Sequence, residues 1–397
     1  MRLGFLNTHP IQYCTPLFRE LAKRPDVELK VYYCHDASHT EHSQAGFGVE
    51  FQWDISLFGG YDHTFLENVA SKPSISGFWG LDVPAIGRQV DEDKLDALIV
   101  NGWHYKAAFQ AMLAGWKRRL PILLRSDSQL GTSRATSILA AKRIAYPRFI
   151  KRAAGFLAAG TLAKEYLRHY GAAENRIFIV PHCVDDQRIR AEAETLFPMR
   201  PAIRAAWDIR EEQLALVFAG KFLDVKRPMD FIQSIQQMAE KDRCIVGLMI
   251  GDGPLRRDCE AYVRQNAVPI RFTGFLNQSE MVRGYVAGDA LLLASQSETW
   301  GLVVNEAMLC KLPCFVSAGV GCAPDLIQYG ITGATFPVGD PTACAEQLLE
   351  FCTLERLRQM GRNARAVCER FSAEHVAGRL VDACKSVLNH DASRMCA

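Results

Sequence analysis

The chain has 397 residues, of which 49% are hydrophobic and 23% charged, and its formal net charge is +2. This length allows two domains with separate cores, and this composition is typical of a soluble globular protein. The nearly neutral charge does not support a nucleic-acid-binding protein, and no apolar run approaches the roughly 18 residues of a membrane span. Residues 1–6 enter a strand pattern instead of a signal peptide, so the thirteen scattered cysteines predict free thiols in the cytoplasm.

Short β-rich apolar runs alternate with amphipathic segments in the first half, which is the pattern of a parallel α/β fold. We predict strands at 3–6, 29–33, 97–100, 122–125, 156–159 and 177–180, and helices at 17–24 and 107–117. Residues 37–90 have few regular patterns, and a loop region of that length is more often functional than not. Pro181 begins a stretch that breaks the pattern up to about Arg204, where we place a domain boundary.

The second half alternates even more regularly. We predict strands at 215–219, 246–250, 270–273, 291–293 and 314–316, and helices at 228–240, 255–265, 279–287, 303–310 and 324–328, with two or three further helices over 341–390. This pattern predicts two Rossmann-like doubly wound domains, 1–190 and 191–370, facing each other across a cleft. Residues 371–397 are predicted to form a helix that crosses back toward the first domain. Ligands of such folds bind at the carboxyl ends of the strands.

The most informative segment, 297–308, follows an apolar strand and opens a helix. Two carboxylates, Glu298 and Glu306, are eight positions apart, with Gly301 and Leu302 between them. Backbone N–H groups at such a strand–turn–helix junction bind anions. A phosphate held there, with hydroxyl groups held by a carboxylate on each side, describes a nucleotide-sugar.

A second loop, which follows the strand at 215–219, supplies cations. Gly220 lets the backbone approach a ligand closely, and Lys221, Lys226 and Arg227 can reach a diphosphate. The alternative is that these cations lie on a solvated surface. Because this loop and the segment of Glu298 belong to the same predicted sheet, phosphate binding is the favoured interpretation.

Two further loops carry weaker signals. The G-x-G pattern at Gly251 lacks the remaining features of a dinucleotide site, which argues against a nicotinamide dehydrogenase. Gly274 and Phe275 could hold a base through backbone and apolar contacts. A plain strand-to-helix turn is an equal alternative at both loops.

Polar residues also follow strands of the first half. His9 and Gln12 come after the first strand, and His104 follows the strand at 97–100. Trp53 lies in the long irregular region, where aromatic rings suit either stacking on sugars or packing under the loop. The basic stretch from Arg134 to Arg152 is either a solvated helix face or a contact with an anionic membrane surface.

Together these motifs resemble the retaining glycosyltransferases of family 4, which have the GT-B fold. The resemblance covers nearly the whole chain, and its most specific part is the E-x7-E pattern of Glu298 and Glu306. The loops at Gly220, Gly251 and Gly274 occur in the family's order. Residues 9–18 and 53–61 resemble a subgroup found in bacterial surface-polysaccharide clusters.

The resemblance implies roles for individual residues. Glu306 would bind the donor ribose, Glu298 the hydroxyls of the donor sugar, and Lys221 and Lys226 the diphosphate. Many family members carry arginine at the position of Lys221, and lysine lacks the bidentate fork of arginine. His104 matches a histidine that lies beside the donor sugar.

The function implied is transfer of a sugar from a nucleotide diphosphate, UDP-sugar first and GDP-mannose next, to a hydroxyl of a glycan or lipid-linked acceptor. No metal or other cofactor is expected. His9, Gln12 and Trp53 are predicted on the acceptor side. The alternatives are a catalytically silent GT-B binding or scaffold protein and a GT-B nucleotide-sugar epimerase.

Overall fold

The computed structural model describes residues 1–36, 53–132, 136–241 and 244–395. They divide into two compact units. Among the described residues, the first unit contains 1–36, 56–132, 136–183 and 373–395, and the second contains 53–55 and 184–372. Apart from residues 53–55, the chain therefore enters the second unit at Val184 and leaves it at Ser372.

A parallel sheet with the strand order β3-β2-β1-β4-β5-β6-β7 forms the centre of the first unit. Its elements, in chain order, are β1 (Arg2–Asn7), α1 (Thr15–Ala22), β2 (Glu28–Tyr33), β3 (His63–Phe65), α2 (Ile86–Glu92), β4 (Ala97–Asn101), α3 (Lys106–Lys117), β5 (Ile122–Ser126), α4 (Thr136–Ile150), β6 (Gly155–Ala158), α5 (Thr161–His169) and β7 (Ile177–Ile179).

The second unit contains a parallel sheet with the order β10-β9-β8-β11-β12-β13. Its elements are α6 (Asp186–Leu196), α7 (Arg200–Ala205), β8 (Leu214–Ala219), α8 (Pro228–Lys241), β9 (Ile245–Ile250), α9 (Arg256–Asn266), β10 (Ile270–Gly274), α10 (Gln278–Ala287), β11 (Ala290–Leu293), α11 (Leu302–Leu309), β12 (Cys314–Ser317), α12 (Ala323–Leu326), β13 (Gly333–Phe336), α13 (Pro341–Phe351) and α14 (Leu354–Cys368).

The central strands are apolar because both faces of each sheet are covered. All six residues of β8 and all six of β9 are buried. In the first unit, the last helix, α15 (Ala373–Met395), packs on α1. Its buried Val376 and Leu380 share one core with Leu17 and Phe18 of α1. The carboxyl-terminal helix therefore completes the core of the unit in which the chain begins.

The structure confirms the predicted α/β class with two Rossmann-like units. It corrects several local predictions. The described part of the irregular region contains β3 and α2. Neither has a long apolar run: β3 is a short, largely exposed edge strand, and α2 buries only Ile86 and Val90. The presumed boundary stretch contains α6 and α7; α6 buries only Asp186, Ile189 and Ala193, so its sequence is polar overall. Strand β13 and helix α5 were also not predicted.

A buried charge cluster anchors α7 to the second sheet. Arg204 is 2% exposed, and its guanidinium donates to the carbonyl oxygen of Ala287 at 2.8 Å and to the Asp289 carboxylate at 3.2 Å. Asp289 also accepts from the backbone N–H of Ala215 in β8 at 2.9 Å and from Arg200 at 2.6 Å. The carboxylate of Asp289 therefore compensates the positive charges of Arg200 and Arg204 beside the start of β11.

We expect Asp289→Ala to destabilise the protein by about 3–5 kcal/mol, because it leaves the buried Arg204 guanidinium without its counter-charge. Urea denaturation measures the change. The exposed carboxylate in Glu240→Ala serves as the control and should change stability by less than about 0.5 kcal/mol. Equal effects of the two substitutions would contradict this assignment.

Candidate functional site

The predicted donor-binding residues gather at the carboxyl edge of the second sheet. Strands β8 and β11 are hydrogen-bonded neighbours there, and the chain order reverses between them. A parallel sheet opens a ligand-binding crevice at such a switch point. The loop after β8 carries the lysines, and the loop after β11 carries the first carboxylate, so the topology brings together charges that are far apart in sequence.

The loop after β8 begins at Gly220, whose N–H donates to the carbonyl oxygen of Ile250 at 3.0 Å. Lys221 follows and is half-buried. Burial lowers the pKa of Lys221 below its usual value, and the nearby positive charge of Lys226 lowers it further. Because the two ammonium groups repel each other, an anion bound near both of them would be stabilising.

Lys226 and Glu298 form an ion pair across the two loops. The ammonium group of Lys226 donates to Oε1 of Glu298, and the side chains are 23% and 13% exposed. The hydroxyl of Ser295 donates to the same oxygen at 3.0 Å. The backbone of Glu298 is fixed by hydrogen bonds with Gly319 and Gly321, both 3.0 Å long. The carboxylate is thus oriented by its surroundings before any ligand binds.

Helix α11 begins directly after this loop. Its N-cap is Gly301, with φ of +99°, a conformation that favours glycine, and no side chain caps the helix. A Cβ atom at Gly301 would lie 3.0 Å from Val320. The N–H groups of the first turn, from Leu302 onward, are therefore not covered by a capping side chain, as an anion site requires.

Glu306 lies one turn further along α11 and is half-buried. The hydroxyl of Tyr285 in α10 donates to its Oε2 at 2.6 Å. Burial raises the pKa of Glu306, and the hydrogen bond from Tyr285 and the charge of Arg188 oppose this rise. A half-buried carboxylate requires a polar partner, and Tyr285 supplies one within the protein itself.

Tyr285, Arg188 and Ser295 are contributors that the sequence analysis missed. Tyr285 stands among apolar residues of α10, where an aromatic residue is expected in the core. Arg188 belongs to α6, within the stretch where the sequence predicts a domain boundary; its Nη1 donates to Glu192 at 2.9 Å and to the carbonyl oxygen of Gln278 at 3.0 Å. Only tertiary structure places Tyr285 and Arg188 near Glu306.

Arg227 is held differently from the lysines. Its Nε donates to Oδ2 of Asp230 at 2.5 Å and its Nη2 to Oδ1 at 3.1 Å. The guanidinium therefore forms a bidentate pair with a carboxylate in the first turn of α8. The two lysines are the better placed cations for a diphosphate.

The loops after β9 and β10 adjoin the loop after β8. A Cβ atom at Gly251 would lie 2.0 Å from the carbonyl oxygen of Gly220, so only glycine fits there. The N–H of Gly251 donates to the carbonyl oxygen of Gly274 at 2.9 Å. Phe275, which follows, is half-buried. Gly251 has a packing role, whatever contact it makes with a ligand.

In the first unit, His9 and His104 follow the adjacent strands β1 and β4 at the carboxyl edge. His9 is buried, with its Nδ1 2.8 Å from the hydroxyl of Thr8, and His104 is exposed, with its ring 4.0 Å from that of Tyr105. Gln12 is half-buried. Trp53 is half-buried and is grouped with the second unit.

Residues 199–367 match the family described as Glycosyl transferases group 1. The matched residues lie within the second unit. Glu298, Glu306 and both lysines lie within the matched residues. The chain is also 32% identical over 192 residues to N-acetyl-alpha-D-glucosaminyl L-malate synthase of Bacillus anthracis, covering 48% of this chain and 50% of that protein. It spans about half the length of the curated relatives it matches.

Solved structures with the same architecture extend over both units. Anabaena HepE in complex with UDP superposes with a TM-score of 0.72 at 16% identity, covering 97% of this chain and 100% of that one. The apo form of the lipopolysaccharide outer core galactosyltransferase WaaB gives 0.67 at 16% identity, with coverage of 97% and 99%. These likenesses show that the chain has the GT-B fold.

Within the ranges that the structure describes, no group of three or more His, Cys, Asp and Glu side chains is arranged to hold a metal ion. In those same ranges, no helix combines the length and the apolar character needed to cross a membrane.

The raised pKa of Glu306 predicts a pH-dependent stability. A carboxyl whose pKa is higher in the folded than in the unfolded state stabilises the fold when protonated, and this contribution is lost as pH rises through the folded pKa. We therefore expect Glu306→Gln to raise stability at pH 8 by on the order of 1 kcal/mol, with a gain that shrinks in acid.

Urea denaturation between pH 4 and pH 8 measures this effect. Glu346→Gln, which changes an exposed helix carboxylate, is the control and should show no such trend. A Glu306→Gln variant that is less stable than the wild type at pH 8 would show that the charged carboxylate is favourable in the ligand-free protein.

Proposed function

We propose that the protein is a retaining glycosyltransferase that moves a sugar from a nucleotide diphosphate to a hydroxyl of a glycan or lipid-linked acceptor. The observation that carries the proposal is the ion pair of Lys226 with Glu298 at the switch point of the second sheet, with Lys221 near Lys226. The match of residues 199–367 to the Glycosyl transferases group 1 family supports it.

In this proposal the diphosphate lies against Lys221, Lys226 and the open amino terminus of α11. Breaking the anomeric C–O bond leaves the electron pair on the diphosphate, and these groups are positioned to stabilise the added charge. They supply the electrostatic role that a divalent cation fills elsewhere, so the reaction needs no metal. Lys226 would then share its charge between the diphosphate and Glu298.

The two carboxylates bind the hydroxyl groups on either side of the diphosphate. Glu298 accepts hydrogen bonds from the donor sugar, and Glu306 accepts them from the ribose. Because Tyr285 occupies Oε2 of Glu306, Oε1 is the oxygen assigned to the ribose. The half-buried Phe275 lies after β10, where an apolar surface suits the base.

Retention of configuration follows if the acceptor hydroxyl attacks the face from which the diphosphate departs. The acceptor oxygen forms the new C–O bond, and its proton passes to a leaving phosphate oxygen. No carboxylate nucleophile is required in this scheme. His104 is proposed to lie beside the donor sugar, with His9, Gln12 and Trp53 on the acceptor side.

UDP-sugar is the proposed donor and GDP-mannose the second choice. HepE was solved with UDP and with UDP-glucose, and WaaB is named a lipopolysaccharide outer core galactosyltransferase. These names support a role in bacterial polysaccharide or glycoconjugate synthesis. The basic helix α4 is proposed to contact the cytoplasmic face of the membrane through its carboxyl end, which Lys151 and Arg152 follow. Arg134, at the start of the basic stretch, lies outside the described residues.

Nucleotide binding tests the donor site directly. Calorimetry with UDP, GDP and ADP in the presence of a metal chelator should show one preferred nucleotide, and Glu306→Ala should weaken it about tenfold because a hydrogen bond from the ribose to a charged acceptor is lost. Glu346→Ala is the matched control. If the wild type binds none of these nucleotides, the scaffold alternative replaces the transferase.

Catalysis tests the lysines. We expect Lys221→Ala and Lys226→Ala each to lower kcat for turnover of the preferred nucleotide-sugar by about 10²–10³-fold, since each removes a cation that stabilises the leaving diphosphate. Lys241→Ala, at the exposed end of α8, should leave kcat unchanged. If a divalent cation restores the activity of the two lysine variants and also raises that of the wild type, the reaction is metal-assisted instead.

A further inference from the structure

A large cavity opens at the amino edge of the first sheet, the edge opposite His9 and His104. It lies beside the starts of β5, β6 and β7 and the later part of α15, and its volume is about 740 Å³. We call it the amino-edge cavity and define it by Arg119, Ile122, Arg152, Arg176 and Val387. None of these residues has a role in the proposed sugar transfer.

Part of the wall of this cavity is apolar. Ile122, Ala153, Phe178 and Val387 line it, and three of them, all but Phe178, are at most 5% exposed. They belong to the sheet, to the segment before β6 and to α15, which together form the core of the unit. The apolar wall is therefore rigid and can accept hydrocarbon or ring atoms of a ligand.

Four cationic side chains surround the apolar part: Arg119, Lys151, Arg152 and Arg176. The lining residues that the structure describes include no Asp or Glu. Among the described ion pairs, none involves Arg119, Lys151 or Arg152, and all three are exposed. Positive charges gathered at a concave surface without a compensating carboxylate attract anions.

Trp116 lies in the same wall. The guanidinium of Arg152 lies over its indole ring, 5.6 Å from the centroid. The indole N–H is buried and has no hydrogen-bond partner among the described residues. Buried donors are normally satisfied. An oxyanion bound beside Arg152 would supply a hydrogen-bond acceptor of the kind that this N–H requires.

We propose that the amino-edge cavity binds a phosphate-bearing ligand, with the phosphate oxygens held by Arg119, Lys151 and Arg152 and the adjoining apolar atoms held by Ile122 and Phe178. Arginine and lysine are the side chains that bind phosphate most strongly. Such a phosphate occurs in the head group of an anionic phospholipid or in a free phosphate compound. The apolar wall favours the phospholipid, which would seat the protein on an anionic membrane through this edge.

The test uses the full chain and three probes: dihexanoyl phosphatidylglycerol as a dissolved monomer, dihexanoyl phosphatidylcholine and inorganic phosphate. Calorimetry is performed on the wild type, on Arg119→Asn combined with Lys151→Gln, and on a control. Asparagine suits position 119 because its φ is +56°. The control, Lys23→Gln combined with Arg88→Gln, removes the same charge from exposed positions of the same unit.

We expect phosphatidylglycerol to bind and phosphatidylcholine not to bind. The Arg119 and Lys151 double variant should raise the Kd roughly 25-fold, at about fivefold for each cation near an anionic lipid, while the control keeps the wild-type Kd. An unchanged thermal unfolding midpoint verifies that the variants are folded. Phosphate binding as tight as phosphatidylglycerol binding would support the site with a free phosphate compound as its ligand.

Three results would overturn the proposal. These are no binding of either anionic probe by the wild type, equal binding of the two lipids, and a double variant that binds like the control. Since none of these measurements uses a nucleotide or a sugar, the outcome is independent of the proposed transferase activity.

Discussion

The pairing of β8 with β11 decides where the chemistry of this protein can occur. From β8 the chain builds β9 and β10 on one side and then returns to place β11 on the other. Because the strands are parallel, their carboxyl ends lie at one edge, and the reversal leaves a crevice between the loops that follow β8 and β11. The lysines and carboxylates occupy these two loops and the helix after the second one. A different strand order would separate them, even with every motif intact.

The charged groups of this crevice have partners within the protein. Lys226 is paired with Glu298, and Glu306 accepts a hydrogen bond from Tyr285. Half-buried charges are tolerated because each has such a partner. A ligand that carries both phosphate oxygens and hydroxyl groups can enter by exchange, offering an anion to the lysine and donors to the carboxylates. The site is thus held in shape by the same groups that would bind the ligand.

Sequence reasoning identified the elements that carry strong local signals. The central strands are continuous apolar runs, and the segment from Glu298 to Glu306 joins a strand to a helix in a recognisable way. The features that the sequence did not predict are those without a local signal. Helix α6 buries few residues, β3 is exposed at a sheet edge, and Tyr285 resembles any core aromatic residue. The pair of Arg227 with Asp230 was within reach, since residues three apart face each other at the start of a helix. The partner of Glu306 could not be deduced, because it depends on how α10 packs against α11.

Helix α15 has a consequence for how the protein is made. Val376, Leu380 and Cys384 are buried in the core of the first unit, although residues 184–372 of the second unit precede them in the chain. The second unit is formed mainly by one continuous stretch, 184–372. During synthesis the first unit therefore begins to emerge earlier but stays incomplete, with the apolar surface of α1 uncovered, until α15 has left the ribosome. The later unit can finish folding first. A truncation before α15 would consequently damage the unit that contains β1 and α1, and a nascent chain stalled before α15 would be a natural client for chaperones.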